Sequence, residues 1–159
     1  MIWTIRRMTA ADIDAVQRVA EEIPELPRWN RAEYERYAVP DNTASLLRAG
    51  FVAETPDRLS GFSAGRLGAG VCELESIAVA LEAREQGIGK ALLRALIEWA
   101  EVNQAVRLEL EVRASNDAAI GIYGRSGLQR EGLRAGYYHA PEEDALLMGM
   151  ALVPGGKLA

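Results

Sequence analysis

The chain opens with a short apolar strand through Ile5 and then changes period: from about Thr9, residues Ile13, Val16 and Ala20 recur on one face of a helix. Pro24 and Pro27 interrupt that helix, and "NRAEYERYAV" offers a second short one before "PDNTAS". Next, "SLLRAGFVAET", a turn at "PDRLSG", and "FSAGRLGAGVCELESIAVA" read as three strands in a meander. Helical spacing returns only after residue 84. From Gly87 to about Val102, Ile88, Leu92, Leu96 and Trp99 recur, with Leu93, Ile97 and Ala100 widening the stripe, so this helix is expected to be mostly buried. "VRLELEVRA" then alternates at period two. Ser115 stands where it can cap a helix running through Tyr123 to a stop at Gly127, and two last strands lie around "LQREGLRAGYY" and "DALLMGMALV". The order β-α-α-β-β-β-α-β-α-β-β predicts an α/β (α+β) fold, a mixed sheet with helices on both faces.

Composition narrows the function without naming it. A chain of 159 residues with no repeat, linker or low-complexity tract fits one domain over 1–159. No apolar run is long enough to span a bilayer, and the N-terminus lacks the core and cleavage site of a secretory signal, which points to the cytoplasm. With Cys72 the sole cysteine and His139 the sole histidine, an internal disulfide is impossible and a zinc site of Cys and His ligands lacks donors, so no metal is expected. The net charge of −5 argues against non-specific nucleic-acid binding and favours a cationic partner.

The most informative stretch is "REQGIGKALL", residues 84–93. A P-loop needs a glycine where Arg84 stands and Ser or Thr where Ala91 stands; a dinucleotide fingerprint needs a small residue at Leu92 and a place after the first strand. Both fail. What remains is Arg-x-x-Gly-x-Gly at a strand-to-helix junction, where unpaired amides and the helix dipole can hold a pyrophosphate while Arg84 and Lys90 neutralise charge.

In this motif the chain resembles the GNAT family of N-acetyltransferases, whose acetyl-CoA motif is Gln/Arg-x-x-Gly-x-Gly/Ala; here it is Arg84, Gly87 and Gly89. The resemblance covers nearly the whole chain and is strongest from Glu75 to Leu128. Within the family, "LEVRASN" followed by "AAIGIYGRSGL" is similar to the bacterial ribosomal-protein-alanine N-acetyltransferases. It departs from the pattern at Glu85, where a basic residue is common, and in "GYYHAPEEDALLM", which lacks a Pro after the tyrosines and a Gly-Arg before the acidic pair. The resemblance implies a mostly antiparallel sheet of six to seven strands, splayed between the fourth and fifth, with about four helices. It also implies acetyl-CoA as co-substrate, held by Ile77, Ala78, Val79, Arg84, Gln86, Gly87, Ile88, Gly89, Lys90 and Asn116.

For the chemistry, the resemblance makes Glu111 the general base, directly or through water, and Tyr123 the acid that protonates the departing thiolate. From pattern alone, Glu109 and Glu111 read equally as a solvated strand face, Tyr123 as core and Asn116 as support for a helix start. Glu73 and Glu75 share a strand face and are a rival base pair. Cys72 reads as packing and His139 as a loop residue. The expected activity is direct acetyl transfer to a primary amine, foremost the N-terminal amine of a protein such as a ribosomal protein. A small amine is the alternative acceptor, and a non-catalytic acetyl-CoA-binding module the reading from a different class.

Overall fold

The computed structural model describes residues 2–41, 43 and 45–155. Seven strands, β1 (Thr4–Arg7), β2 (Leu47–Glu54), β3 (Leu59–Gly68), β4 (Val71–Val79), β5 (Arg107–Arg113), β6 (Gln129–His139) and β7 (Glu142–Ala151), form one sheet in the order β1-β2-β3-β4-β5-β7-β6. Four helices, α1 (Ile13–Glu21), α2 (Arg31–Ala38), α3 (Ile88–Val102) and α4 (Asp117–Arg125), complete the predicted order of elements. Every strand pair is antiparallel except β4 with β5.

The helices divide between the two faces according to their apolar stripes. Leu92, Leu93, Leu96 and Ala100 of α3 are fully buried in a core that also holds Leu108, Leu110 and Val112 of β5 and Ile120 and Tyr123 of α4. Each such leucine is stabilised by about 1.5–3 kcal/mol relative to exposure. α3 approaches β3 closely because Gly65 has no side chain: a Cβ there would lie 2.7 Å from Leu96. On the other face, Ile13, Val16 and Val19 of α1 and Tyr34 of α2 pack on Val52, Phe62 and Ala78. Trp29, in the connection between α1 and α2, stacks flat on Tyr37 at 5.0 Å and meets the edge of Tyr34 at 5.3 Å.

Two irregularities create the site. First, β4 and β5 pair only from Val71 and Arg107 to Leu74 and Leu110; beyond that rung they share no partners, so the sheet opens between its fourth and fifth strands. Second, β4 carries a bulge: Ala64 pairs with Ser76 and Gly65 with Leu74, leaving Glu75 as the extra residue. The bulge inverts the strand's alternation. Cys72 and Leu74 belong to the α3-side core, whereas beyond the bulge Ile77 and Val79 pack there and Ala78 turns to the α1 side.

Two local expectations are corrected. The first helix does not start near Thr9: a 3-10 turn at Ala10–Asp12 precedes α1. There Asp12 accepts from the Thr9 amide at 2.8 Å and from both terminal nitrogens of Arg6 at 2.7 Å, tying that turn to β1. The cap of α4 is Asn116 rather than Ser115; its Oδ1 accepts from the Ala119 amide at 3.2 Å. The Ser115 amide instead donates to Glu143 at 2.6 Å.

Candidate active site

The start of α3 leaves backbone donors unpaired, an arrangement that suits an anion. Its first intrahelical bond runs from the Ala91 amide to the Gly87 carbonyl at 3.1 Å, so the amides of Ile88, Gly89 and Lys90 have no partner within the helix. Unlike α2 and α4, which Asn30 and Asn116 cap, α3 has no side-chain cap and no acidic residue in its first turn. Gly87, the cap residue, has φ 83°, a left-handed conformation that only glycine adopts without strain. Gly89 differs: a Cβ there would make only ordinary contacts, 3.7 Å to Val79 and 3.8 Å to Ile122. Protein packing therefore does not demand glycine at 89, whereas a ligand lying against the backbone would. Arg84, Glu85 and Lys90 are exposed, and Arg84 Nε reaches the Val79 carbonyl at 3.4 Å.

This helix start adjoins the opening in the sheet. The Ala80 amide donates to the Ser60 carbonyl at 2.8 Å. By the alternation of an antiparallel ladder, Gly61–Val79 and Ser63–Ile77 are then non-hydrogen-bonded pairs, so the amides of Ile77 and Val79 face the opening. The Ala78 amide faces β3 instead, and its side chain lies in the α1-side core. Of the three β4 residues expected to bind cofactor, two thus present main-chain groups to the cleft.

The expected acid and base occupy opposite faces of the sheet. Tyr123 projects from α4 into the α3-side core, and burial, with the neighbouring Tyr138 adding, holds its phenol well above the ordinary value, so it stays protonated and can donate. Glu111 lies on the other face. Its Oε1 is 3.5 Å from Arg134, and Tyr137 beside it is raised above the usual phenol range first by its interaction with the Glu111 carboxylate. An irregularity in β6 between Arg134 and Tyr138 places both residues there. Neither Arg134 nor Tyr137 carries a local signal linking it to Glu111.

The rival carboxylates are differently engaged. Glu73 accepts from Arg66 at 2.9 Å. Glu75, the bulge residue, accepts from the Tyr37 hydroxyl at 2.7 Å and lies 3.8 Å from Arg66. Burial, with Glu75 adding, raises the Tyr37 phenol far above its usual value, so the proton stays on tyrosine. Both glutamates share one face, as expected. Sequence reasoning missed Tyr37, which lies 38 residues from Glu75.

The other residues singled out from the sequence have structural places of their own. Asn116 serves the helix start, with its carbonyl oxygen engaged there. Cys72 is fully buried, and burial pushes its thiol to about 12, leaving no thiolate for chemistry near neutrality. His139 ends β6, exposed, at the hairpin turn rather than in a loop proper. That hairpin is clamped by Arg113, which donates to the Pro141 carbonyl at 2.9 Å and lies 4.3 Å over the Tyr138 ring. Among the described residues, no helix is long and apolar enough to cross a membrane.

Comparison with known proteins gives this geometry a family. The model of the acetyltransferase (GNAT) family matches residues 14–128. The [ribosomal protein bS18]-alanine N-acetyltransferase of Salmonella typhimurium is 30% identical over 156 residues, 94% of this chain and 97% of the relative. Its Escherichia coli counterpart is 41% identical over a shorter span of 81 residues, 50% of this chain and 55% of the relative. The crystal structure of the Escherichia coli ribosomal-protein-S18-alanine N-acetyltransferase superposes with a TM-score of 0.81 at 26% identity, over 99% of each chain. A phosphinothricin acetyltransferase from Sinorhizobium meliloti, solved in complex with AcCoA, shares the fold, with a TM-score of 0.80 at 20% identity over 96% of this chain and 90% of that one. The chain belongs to the GNAT family and is an acetyl-CoA-dependent N-acetyltransferase.

Proposed function

We propose that the enzyme acetylates the N-terminal amine of a protein, with a ribosomal protein as the foremost acceptor, and that residues 1–159 act as one catalytic domain in the cytoplasm. The observation that carries this reading is the parting of β4 and β5 beside the uncapped start of α3. Acetyl-CoA supplies an activated thioester. The amides of Ile88, Gly89 and Lys90 bind its pyrophosphate, the Ile77 and Val79 amides take its arm as an added strand would, and the Val79 N–H polarises the acetyl carbonyl. Glu111 accepts the amine's proton and Tyr123 supplies one to the departing sulfur. Glu111 suits this role better than Glu75, because its contacts come from exposed Arg134 and Tyr137 whereas Glu75 is bound by a buried phenol.

The acceptor reading has three supports. Relatives whose names specify the alanine of a ribosomal protein align over nearly the whole chain. A model α-amine, pKa ~8, costs roughly 3.3 kcal/mol less to deprotonate near neutrality than lysine at ~10.4. Glu73, Glu75, Glu109 and Glu111 share the face away from α3 and suit an acceptor carrying Arg or Lys near its end. The test is competition among an Ala-initiated basic peptide, its N-blocked form with a free lysine, and a panel of small amines, scored by kcat/KM. Preference for the open-ended peptide is expected; preference for small amines by about tenfold or more, roughly 1.4 kcal/mol, would replace this reading with the small-amine one.

A further inference from the structure

The structure also assigns a role to Trp3: we infer that it is a positioning residue for the pyrophosphate loop, holding the amides of residues 87–90 in their anion-binding arrangement. This rests on the proposed cofactor site and deepens it.

The loop between β4 and α3 needs an external anchor. Glu85 has φ 64° and Gly87 φ 83°, so two left-handed residues flank Gln86, and the first of them is not glycine. A non-glycine residue in that region costs about 1–3 kcal/mol and persists only where its surroundings impose it. The loop's side chains hold its first part, where Glu82 pairs with Arg58 and Arg84 reaches the Val79 carbonyl, but not the turn at residues 85–87. Gln86 Oε1 is buried without a hydrogen-bond partner among the described residues, and α3 has no side-chain cap.

What holds this turn comes from the other end of the chain. The Trp3 indole Nε1 donates to the Gln86 carbonyl at 3.2 Å, across 83 residues of sequence. The ring edge stands beside the loop as well: a Cβ on Gly87 would be 3.9 Å from Trp3 Cζ2. Trp3 is itself fixed, for its ring packs against the α3-side core and the next residue, Thr4, pairs with Glu54 in β2. β1 is tied down further by the ion pairs of Arg6 with Asp12 and Glu54. An indole is the natural residue for this task, since it offers a single donor on a large apolar body, with no acceptor to compete for the amides that must face the ligand. Fixing the Gln86 carbonyl orients the peptide plane that leads into Gly87, and through it the direction of the three unpaired amides.

The test compares Trp3→Phe, which keeps a ring and removes the donor, with Trp3→Ala. Trp3→Phe should raise the acetyl-CoA dissociation constant and KM about three- to tenfold, the range of one net hydrogen bond, with acceptor KM and kcat within about twofold and melting temperature unchanged. Hydrogen exchange should quicken in residues 85–91 and not elsewhere, with or without acetyl-CoA. If Trp3→Phe binds acetyl-CoA as wild type does and exchange in 85–91 is unaltered, the inference is overturned. It is overturned equally if acceptor KM and melting temperature deteriorate along with cofactor affinity, since that marks a general structural role. Should Trp3→Ala fail to fold, Trp3→Phe alone decides. Wild-type protein that does not bind acetyl-CoA would instead sink the proposed function, while the exchange measurement still tests the tether.

Discussion

Two glycines in one motif stand under different physical constraints, and the difference can be measured. Gly87 is bound to its φ of 83°. Gly87→Ala should therefore cost about 1 kcal/mol or more of stability, a fall of roughly 2–4 °C in a protein of this size, read by calorimetry. Gly89 meets no such constraint, and its absent Cβ would fit among its neighbours. Gly89→Ala should melt like wild type yet bind acetyl-CoA about tenfold more weakly, because the methyl group lies where the pyrophosphate must approach. Equal cofactor affinity with an unchanged melting point would remove the pyrophosphate from this loop. Tyr123, whose phenol burial keeps protonated, is the proposed acid of the transfer and not a cofactor-binding group. Tyr123→Phe should accordingly lower kcat while leaving acetyl-CoA affinity nearly intact in titration calorimetry.

At the level of elements, α4 depends on Asn116, whose Oδ1 bonds the Ala119 amide. Asn116→Ala should cost about 0.5–2 kcal/mol in denaturant unfolding, whereas Ser115→Ala should cost less, because Ser115 caps no helix amide and alanine retains the amide bond to Glu143 while losing only the hydroxyl contact to it. Much of this level was legible in the sequence. The period of three to four along Ile88, Leu92 and Leu96 and the period of two in "RLELEVR" produce α3 and β5 where they were expected, since both patterns are local. The bulge at Glu75 was only half legible: the alternation of "CELESIAV" changes phase at Glu75-Ser76, but only pairing with β3 shows that the shift is one extra residue within a continuing strand. The same limit hid the partners that shape the site. Tyr37 meets Glu75 and Trp3 meets Gln86 only after the sheet brings distant segments together. The cap was misplaced by one residue because Ser and Asn are equally good caps and stand side by side.

At the scale of the whole molecule, the Arg6–Asp12 pair joins the first strand to α1 and should leave a mark on acid stability. Hydrogen bonds from Arg6, then those from Thr9, hold the Asp12 carboxyl below its ordinary range. The unfolded chain therefore takes up a proton on Asp12 first as pH falls, at about 3.9. The pair's contribution is full above that value and is lost as pH drops through the lower, folded one. Urea unfolding of wild type and Asp12→Asn should differ most near neutrality and converge in strong acid; a constant difference would assign the effect to packing. On the proposed function, one sheet, opened along half of one strand pair, would serve two ligands from its two faces, with Tyr123 on the α3 side, Glu111 on the other and transfer through the gap. The most direct test is the pH dependence of kcat for wild type, Glu111→Gln and Glu75→Gln on an Ala-initiated peptide. The account predicts that Glu111→Gln loses about 10²-fold or more in kcat, together with the acidic limb of the profile, while Glu75→Gln keeps that limb and loses far less. A larger loss in Glu75→Gln, with the acidic limb surviving in Glu111→Gln, would contradict it and move the base to the bulge of β4.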